Sequence, residues 1–242
     1  MAEPEVSRAV RALWGIHDAV PRRGPKPAMS VPAIARVAVA LADEEGLDAV
    51  SMASVAKRLG FTAMSLYRYV DTKDDLLQVM LDAAYGPVTL PAPEPGDGWR
   101  SAATAWARAL LDRCLAHPWL VDVRMSSPPL TPHSVGWMDA GLRALGGTGL
   151  GPQQVASSLL ILDGYVRSHV RLLHEYSEEG LRTWSTRLRS VIDEEATPTV
   201  WMALQADVFD DEPAEEGPWP SDDFVFGLEI VLGGIEQLVE GS

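Results

Sequence analysis

One residue in the chain of 242 is a cysteine, Cys114, which excludes an internal disulfide and any multi-cysteine zinc site. It lies among Leu110, Leu111 and Leu115 and reads as a small core residue. Lysine is almost as scarce: Lys26, Lys57 and Lys73 are all there is, and all three precede residue 90. No stretch alternates apolar and polar residues between turn signals, so no strand is expected and the chain reads as all-α. No apolar run has the makings of a membrane span. The longest uncharged one, Ala144 to Leu162, is broken by glycines, Pro152, Gln153 and Gln154. The first twenty residues carry Glu3, Glu5 and Asp18 and lack a secretion-signal core, so a cytoplasmic protein without a membrane partner is expected.

What is present is globular in proportion: 47% hydrophobic and 22% charged, enough to bury a core and too apolar for wholesale disorder. The net charge of −14 argues against nucleic acid until its distribution is considered. Residues 22–90 hold eight Lys/Arg against eight Asp/Glu, while residues 91–242 hold ten against twenty-three. Only the N-terminal part can approach a phosphate backbone without strong repulsion.

Helical periodicity and turn signals divide the chain into four parts. Residues 1–29 contain a short amphipathic helix near 5–17 and then the basic arm "PRRGPKPAMS", with Arg22, Arg23 and Lys26 on a proline-stiffened segment that is either an untethered linker or an arm suited to a minor groove. Residues 30–85 form a unit of short helices, with Pro32 in the first turn of the first and Gly46 at its end. Ser51, Thr62 and Thr72 stand at helix N-caps, the last with Asp75 in capping-box register. "GPVTLPAPEPGDG", 86–98, is a linker. Residues 99–242 hold further helices near 99–116, 134–145, 152–175, 178–194, 197–207 and 222–239.

Several patterns resemble chemistry without its context. "GGTGLG", 146–151, follows no strand and so does not cradle a phosphate. Ser54-Val55-Ala56-Lys57 matches the serine-acylase spacing, but its partner motifs are missing. The five histidines show no metal-ligand spacing. No enzyme, cofactor or metal is expected.

"SMASVAKRLGFTAMSLYRYVDTKDDLL", 51–77, is different. Two short helices crossing steeply need a small residue at the crossing, a left-handed turn residue and an apolar anchor. Ala56, Gly60 and Leu66 supply these, and Val55, Leu59, Phe61 and Val70 complete a core with Ile34, Val37 and Leu41. Ala63, Met64, Ser65, Tyr67 and Arg68 are then left outward or along the rim. Arginine forks onto guanine, small and thioether side chains meet a thymine methyl, and the hydroxyls of Tyr67 and Tyr69 reach phosphate. Lys73 adds charge at the next helix's N-terminus.

The segment from Ser30 to Ala84, above all Leu66-Tyr67-Arg68-Tyr69-Val70 and the following lysine-bearing helix, resembles the DNA-binding domain of the TetR family of transcriptional regulators. "HPWL", "GTGL" and "LLDGYVR" look like an actinobacterial branch of it. The resemblance implies an N-terminal three-helix helix-turn-helix domain and a larger all-helical domain for ligand binding and dimerisation. It also implies a homodimer on a palindromic double-stranded operator, released by a small ligand. Contacts to base or phosphate are carried onto Ser51, Thr62, Ala63, Met64, Ser65, Tyr67, Arg68, Tyr69 and Lys73. The chain departs from the family at Met52, Ala53 and Ser54, where many relatives have arginine. A same-fold factor governed by a protein partner is the other reading.

In the family, the helices at 152–175 and 222–239 pair with their copies. Here the stripe Phe224, Gly227, Leu228, Val231, Leu232, Ile235 and Leu238 is the expected face. For the effector, helix 152–175 is apolar nearly all round until Asp163, Tyr165, Arg167 and His169 interrupt it. Asp163 and Arg167, one turn apart, either pair with each other or fix a ligand in an apolar pocket. Trp119 and Trp137 are candidate walls, with His117 and Arg124 nearby, suited to a hydrophobic or aromatic effector.

Overall fold

Glycines and short polar caps mark out the helices of the N-terminal unit. The structure is a computed structural model describing residues 6–16, 29–92, 94, 96, 98–176, 178–206 and 221–241. Arg22, Arg23 and Lys26 of the basic arm lie outside the described residues.

Helix α1, Arg8–Leu13, begins where the Ser7 hydroxyl accepts the Val10 amide, and left-handed Gly15 closes it earlier than the periodicity suggests. Helix α2, Val31–Glu45, starts at Ser30 with Pro32 in its first turn and stops at left-handed Gly46. Ile34, Ala35, Ala38 and Leu41 form its buried stripe. A 3-10 turn over Leu47–Ala49 then leads to α3, Met52–Arg58, where Ser51 and Ser54 cap each other reciprocally. Helix α4 is a single turn, Ala63–Leu66, and α5, Lys73–Tyr85, opens on a Thr72–Asp75 capping box. Helices this short are marginal alone and stand because a common core holds them. Val55, Leu66, Val70 and Leu76 are fully buried in it beneath α2. Phe61, expected in that core, lies at the surface instead.

The second unit consists of α6 (Trp99–Ala116), a 3-10 turn over Pro118–Val121, α7 (Pro132–Gly146), α8 (Pro152–Glu175), α9 (Glu178–Arg189), α10 (Pro198–Gln205) and α11 (Ser221–Glu240). No strand occurs among the described residues. Helix α6 packs on α7 and α8, and α8 on α11. Two glycines set the spacing: a Cβ on Gly141 would meet Leu159 and Trp106, and one on Gly227 would meet the Tyr165 ring. Cys114 is buried in this core, and burial pushes its thiol up to about 11.

The stripe expected to meet a partner copy is largely used up within the protomer. Phe224, Leu228, Leu232 and Ile235 are buried, packed toward α8. A helix apolar on more than one side offers two faces, and the outward one here carries Phe226, Ile230 and Leu238.

Candidate nucleic-acid interface

The local geometry of the N-terminal unit leaves much of α4 and the residues after it exposed. Gly60, at φ 76°, lets the chain reverse between α3 and α4, and the buried pair Leu66 and Val70 fixes which way α4 turns. Beyond Leu66 the helix tightens: the Tyr69 amide donates to the Leu66 carbonyl three residues back. The sequence-expected helix over 62–69 is thus one α-turn followed by a tighter one. Thr62 stands at the N-cap position, but its hydroxyl meets the Ser65 hydroxyl at 3.1 Å and caps no amide.

Met64 is 77% exposed, Tyr67 45%, and Ser51, Thr62, Arg68 and Lys73 are also exposed. Ala63, Ser65 and Tyr69 lie half-buried along the rim. All nine candidates within the described residues are therefore exposed or half-exposed, and none is spent in the core. Arg58, by contrast, turns back to Glu44 and Glu45, and the Glu44 hydrogen bond raises its pKa. It ties α3 to α2.

Helix α5 connects this surface to the second unit along a single register. Ser126 Oγ donates to Asp74 at 3.2 Å and the Leu130 amide to Gln78 Oε1 at 3.1 Å. One turn on, the His133 amide donates to Asp82 at 2.8 Å, and His133 Nδ1 lies 2.8 Å from the Asp82 carbonyl oxygen. Finally, Trp137 Nε1 donates to the backbone oxygens of Tyr85 and Gly86. The spacing matches successive turns of one helix face, met by the segment 126–137.

The effector-side candidates fall into three groups. Trp137 joins Asp163 and Arg167 through Tyr85: Arg167 donates to Asp163 at 2.7 Å and to the Tyr85 hydroxyl at 2.5 Å, and the Tyr85 and Trp137 rings stand 6.2 Å apart. Burial lowers the Arg167 pKa, but Coulombic attraction from Tyr85 and Asp163, with their hydrogen bonds, outweighs it and the net shift is upward. Burial also raises Tyr85, against the pull of Arg167. His117 and Trp119 form the second group, both bonded to Asp43 Oδ1 on α2, at 2.9 and 2.6 Å. With Arg124 close by, Trp119 lines an open crevice of about 1050 Å³ between the units. Tyr165 and His169 make the third, around Phe224 on α11, with the Tyr165 hydroxyl donating to the Phe224 carbonyl at 2.8 Å. Tyr85, Asp43, Asp82 and His133 were not singled out by the sequence; their roles depend on which helices meet.

Two short helices in contact across a left-handed glycine, followed by a helix that joins them to an all-helical second unit, define a helix-turn-helix transcriptional regulator. Residues 34–80 match the model for bacterial regulatory proteins of the tetR family, and residues 90–239 the tetracyclin repressor-like C-terminal domain. The chain belongs to the TetR family of DNA-binding transcriptional regulators. The transcriptional repressor DrrR1 of Streptomyces coeruleorubidus is 36% identical over 245 residues, 97% of this chain and 87% of that protein. Apo ActR from Streptomyces coelicolor has the same fold, with TM-score 0.74 at 24% identity over 90% of this chain and 99% of that one. ActR in complex with (S)-DNPA matches with TM-score 0.70 at 25% identity, over 90% and 100%. No described helix is long and apolar enough to cross a membrane.

Proposed function

We propose that the chain is a cytoplasmic homodimeric repressor, held on a palindromic operator and released when a small hydrophobic or aromatic effector enters the 99–242 domain. It acts by binding, without turnover. Residues 30–85 read DNA, 86–98 link, and 1–29 precede the reading unit. Thr62, Ala63, Met64, Ser65, Tyr67 and Arg68 face base edges, while Ser51, Tyr69 and Lys73 meet phosphate.

The observation that supports this reading most is the grip of segment 126–137 on successive turns of α5, whose first residue is Lys73. A displacement of α7 is delivered to the DNA-facing end of α5. The effector's seat is placed beside Trp137, Asp163 and Arg167, because a ligand oxygen competing for the Arg167 guanidinium would detach Tyr85, the last residue of α5. His117, Trp119 and Arg124 form the joint to α2, and Tyr165 and His169 hold α11. That ActR has been solved in complex with (S)-DNPA supports an effector of this kind.

The test is to recover a duplex from random DNA with the full chain, then titrate small aromatic compounds against the complex. Operator release should coincide with quenching of tryptophan fluorescence. An inducer whose affinity survives Trp137→Ala, Trp119→Ala and Arg167→Ala would place the pocket elsewhere.

A further inference from the structure

The N-terminal helix α1 lies outside the helix-turn-helix, and the reading above gives it no part. Six residues are too few for a helix to persist by itself. It is held by Ala9 and Val10, both fully buried, against α2 and α5. Its two ends carry polar ties to two different units. At one end the Arg8 guanidinium reaches Asp71, between the buried Val70 that closes the recognition segment and Thr72, the N-cap of α5. Just past the other end, Trp14 Nε1 donates to the Leu130 carbonyl at 2.8 Å.

Leu130 belongs to the 122–131 stretch of the second unit, and its peptide is gripped from both sides. Its amide donates to Gln78 Oε1 on α5, and its carbonyl accepts from Trp14 on the α1 side. Leu130 and Trp14 are themselves 51% and 47% exposed, so apolar burial alone does not account for where the pair sits. An indole N–H aimed at a backbone carbonyl is directional, and Arg8–Asp71 is an exposed pair worth little as stability. Both ties fit a role in alignment better than one in holding the fold together.

We propose that α1 is a positioning strap: through Arg8–Asp71 and Trp14–Leu130 it fixes the junction between the recognition segment and α5 against the 122–131 stretch, so the docking of that stretch sets operator affinity. Arg8 and Trp14 are positioning residues; neither touches DNA in this scheme. Without the strap, Asp71 and the Lys73 end of α5 sample more orientations, and that freedom must be lost again on binding.

The experiment uses the full chain and a duplex recovered by selection with the wild-type protein. Trp14→Phe keeps the ring and removes the donor; it should weaken operator binding about fivefold, in the range of one hydrogen bond, with little change in thermal midpoint. Arg8→Asp should weaken binding, and adding Asp71→Arg in the same chain should restore it. In the wild type, duplex binding should slow hydrogen exchange of the Leu130 amide, and Trp14→Phe should abolish that slowing. Wild-type affinity in both single variants would overturn the strap. So would a Leu130 exchange rate indifferent to DNA, or losses of affinity that merely track losses of thermal stability.

Discussion

The Tyr85 hydroxyl and an Arg167 terminal nitrogen lie 2.5 Å apart, joining the last residue of the DNA-side helix α5 to the middle of α8. The guanidinium also stands 5.8 Å from the Tyr85 ring centroid and is neutralised by Asp163. Tyr85→Phe keeps the ring and removes one hydrogen bond, so it should lower unfolding free energy by about 0.5–1.5 kcal/mol. Arg167→Ala also strips Asp163 of its partner and should cost more, roughly 1–3 kcal/mol. Denaturant titration of the two variants checks the order; equal effects would mean that Asp163 gains nothing from Arg167.

Arg68 and Lys73 are both exposed, and their chemistry predicts different losses on DNA. Arg68→Ala should cost about 1–3 kcal/mol of operator affinity and relax base choice at one position of each half-site. Lys73→Ala should weaken all duplexes alike and lower the salt slope by roughly 1. Anisotropy titrations on matched and mutated duplexes across a salt series separate the two. Wild-type behaviour in both would remove α4 from the DNA.

How far the sequence carried can be seen at particular residues. Ser51, Thr72 and Gly46 mark helix ends by local hydrogen bonding and backbone geometry and stand where their residue types predict, while Thr62 holds the N-cap position without capping an amide. Gly60 and Leu66 were legible for the same reason, since turn and anchor lie six residues apart. The joint was not legible. Asp43 lies 74 residues from His117, and Tyr85 lies 82 from Arg167; no periodicity encodes such distances. Trp119 and Trp137 read as pocket walls because aromatic residues in an effector domain suggest one. Their ring N–H groups also bond Asp43 and the backbone oxygens of Tyr85 and Gly86, and Trp119 lines the crevice beside α2. On α11 the apolar content was visible, but not which of its two apolar faces turns inward.

Half-buried His169, edge-on to Phe224, has its pKa lowered from 6.5 by burial, with Asp223 opposing. A histidine held neutral in the fold and free to protonate when unfolded binds more protons in the unfolded state. Stability is therefore full above 6.5 and falls as pH drops through 6.5 toward the lower folded-state value. His169→Gln should flatten that portion of the curve. Thermal midpoints of both proteins between pH 7.5 and 5 check this through their difference. Parallel curves would show that His169 does not contribute.

Gly227 lies under the Tyr165 ring, where an added Cβ would come within 2.4 Å of the hydroxyl oxygen and 2.7 Å of ring carbons. That ring is not free to move: it stacks on Phe224 at 5.5 Å and its hydroxyl is bonded to the Phe224 carbonyl. Gly227→Ala should thus cost about 1–3 kcal/mol as overpacking, although alanine favours helix. Gly136→Ala, inside α7 with nothing within 4 Å of its Cβ, should be neutral or stabilising. Thermal melts of the two single variants provide the contrast.

Assembly follows from the faces that the protomer leaves open. Leu160 and Ile161 on α8 are 72% and 60% exposed, and Phe226 and Ile230 on α11 are 68% and 60%. The two helices pack together and both leave large apolar groups exposed, surface of the kind that marks interaction sites. A two-fold pairing of α8 and α11 with their copies would bury these residues as a four-helix bundle and would set two recognition segments on one side for the half-sites of a palindrome. Ile230→Glu would put a carboxylate into the centre of that contact without a partner, costing several kcal/mol, so the dimer should dissociate at micromolar concentration. Val191→Glu, 77% exposed near the end of α9, is the control and should leave the mass unchanged. Light scattering reads the mass directly, and operator binding should fall with the dimer in Ile230→Glu alone. A wild-type monomer at these concentrations, or an Ile230→Glu variant that stays dimeric, would move the interface off α8 and α11.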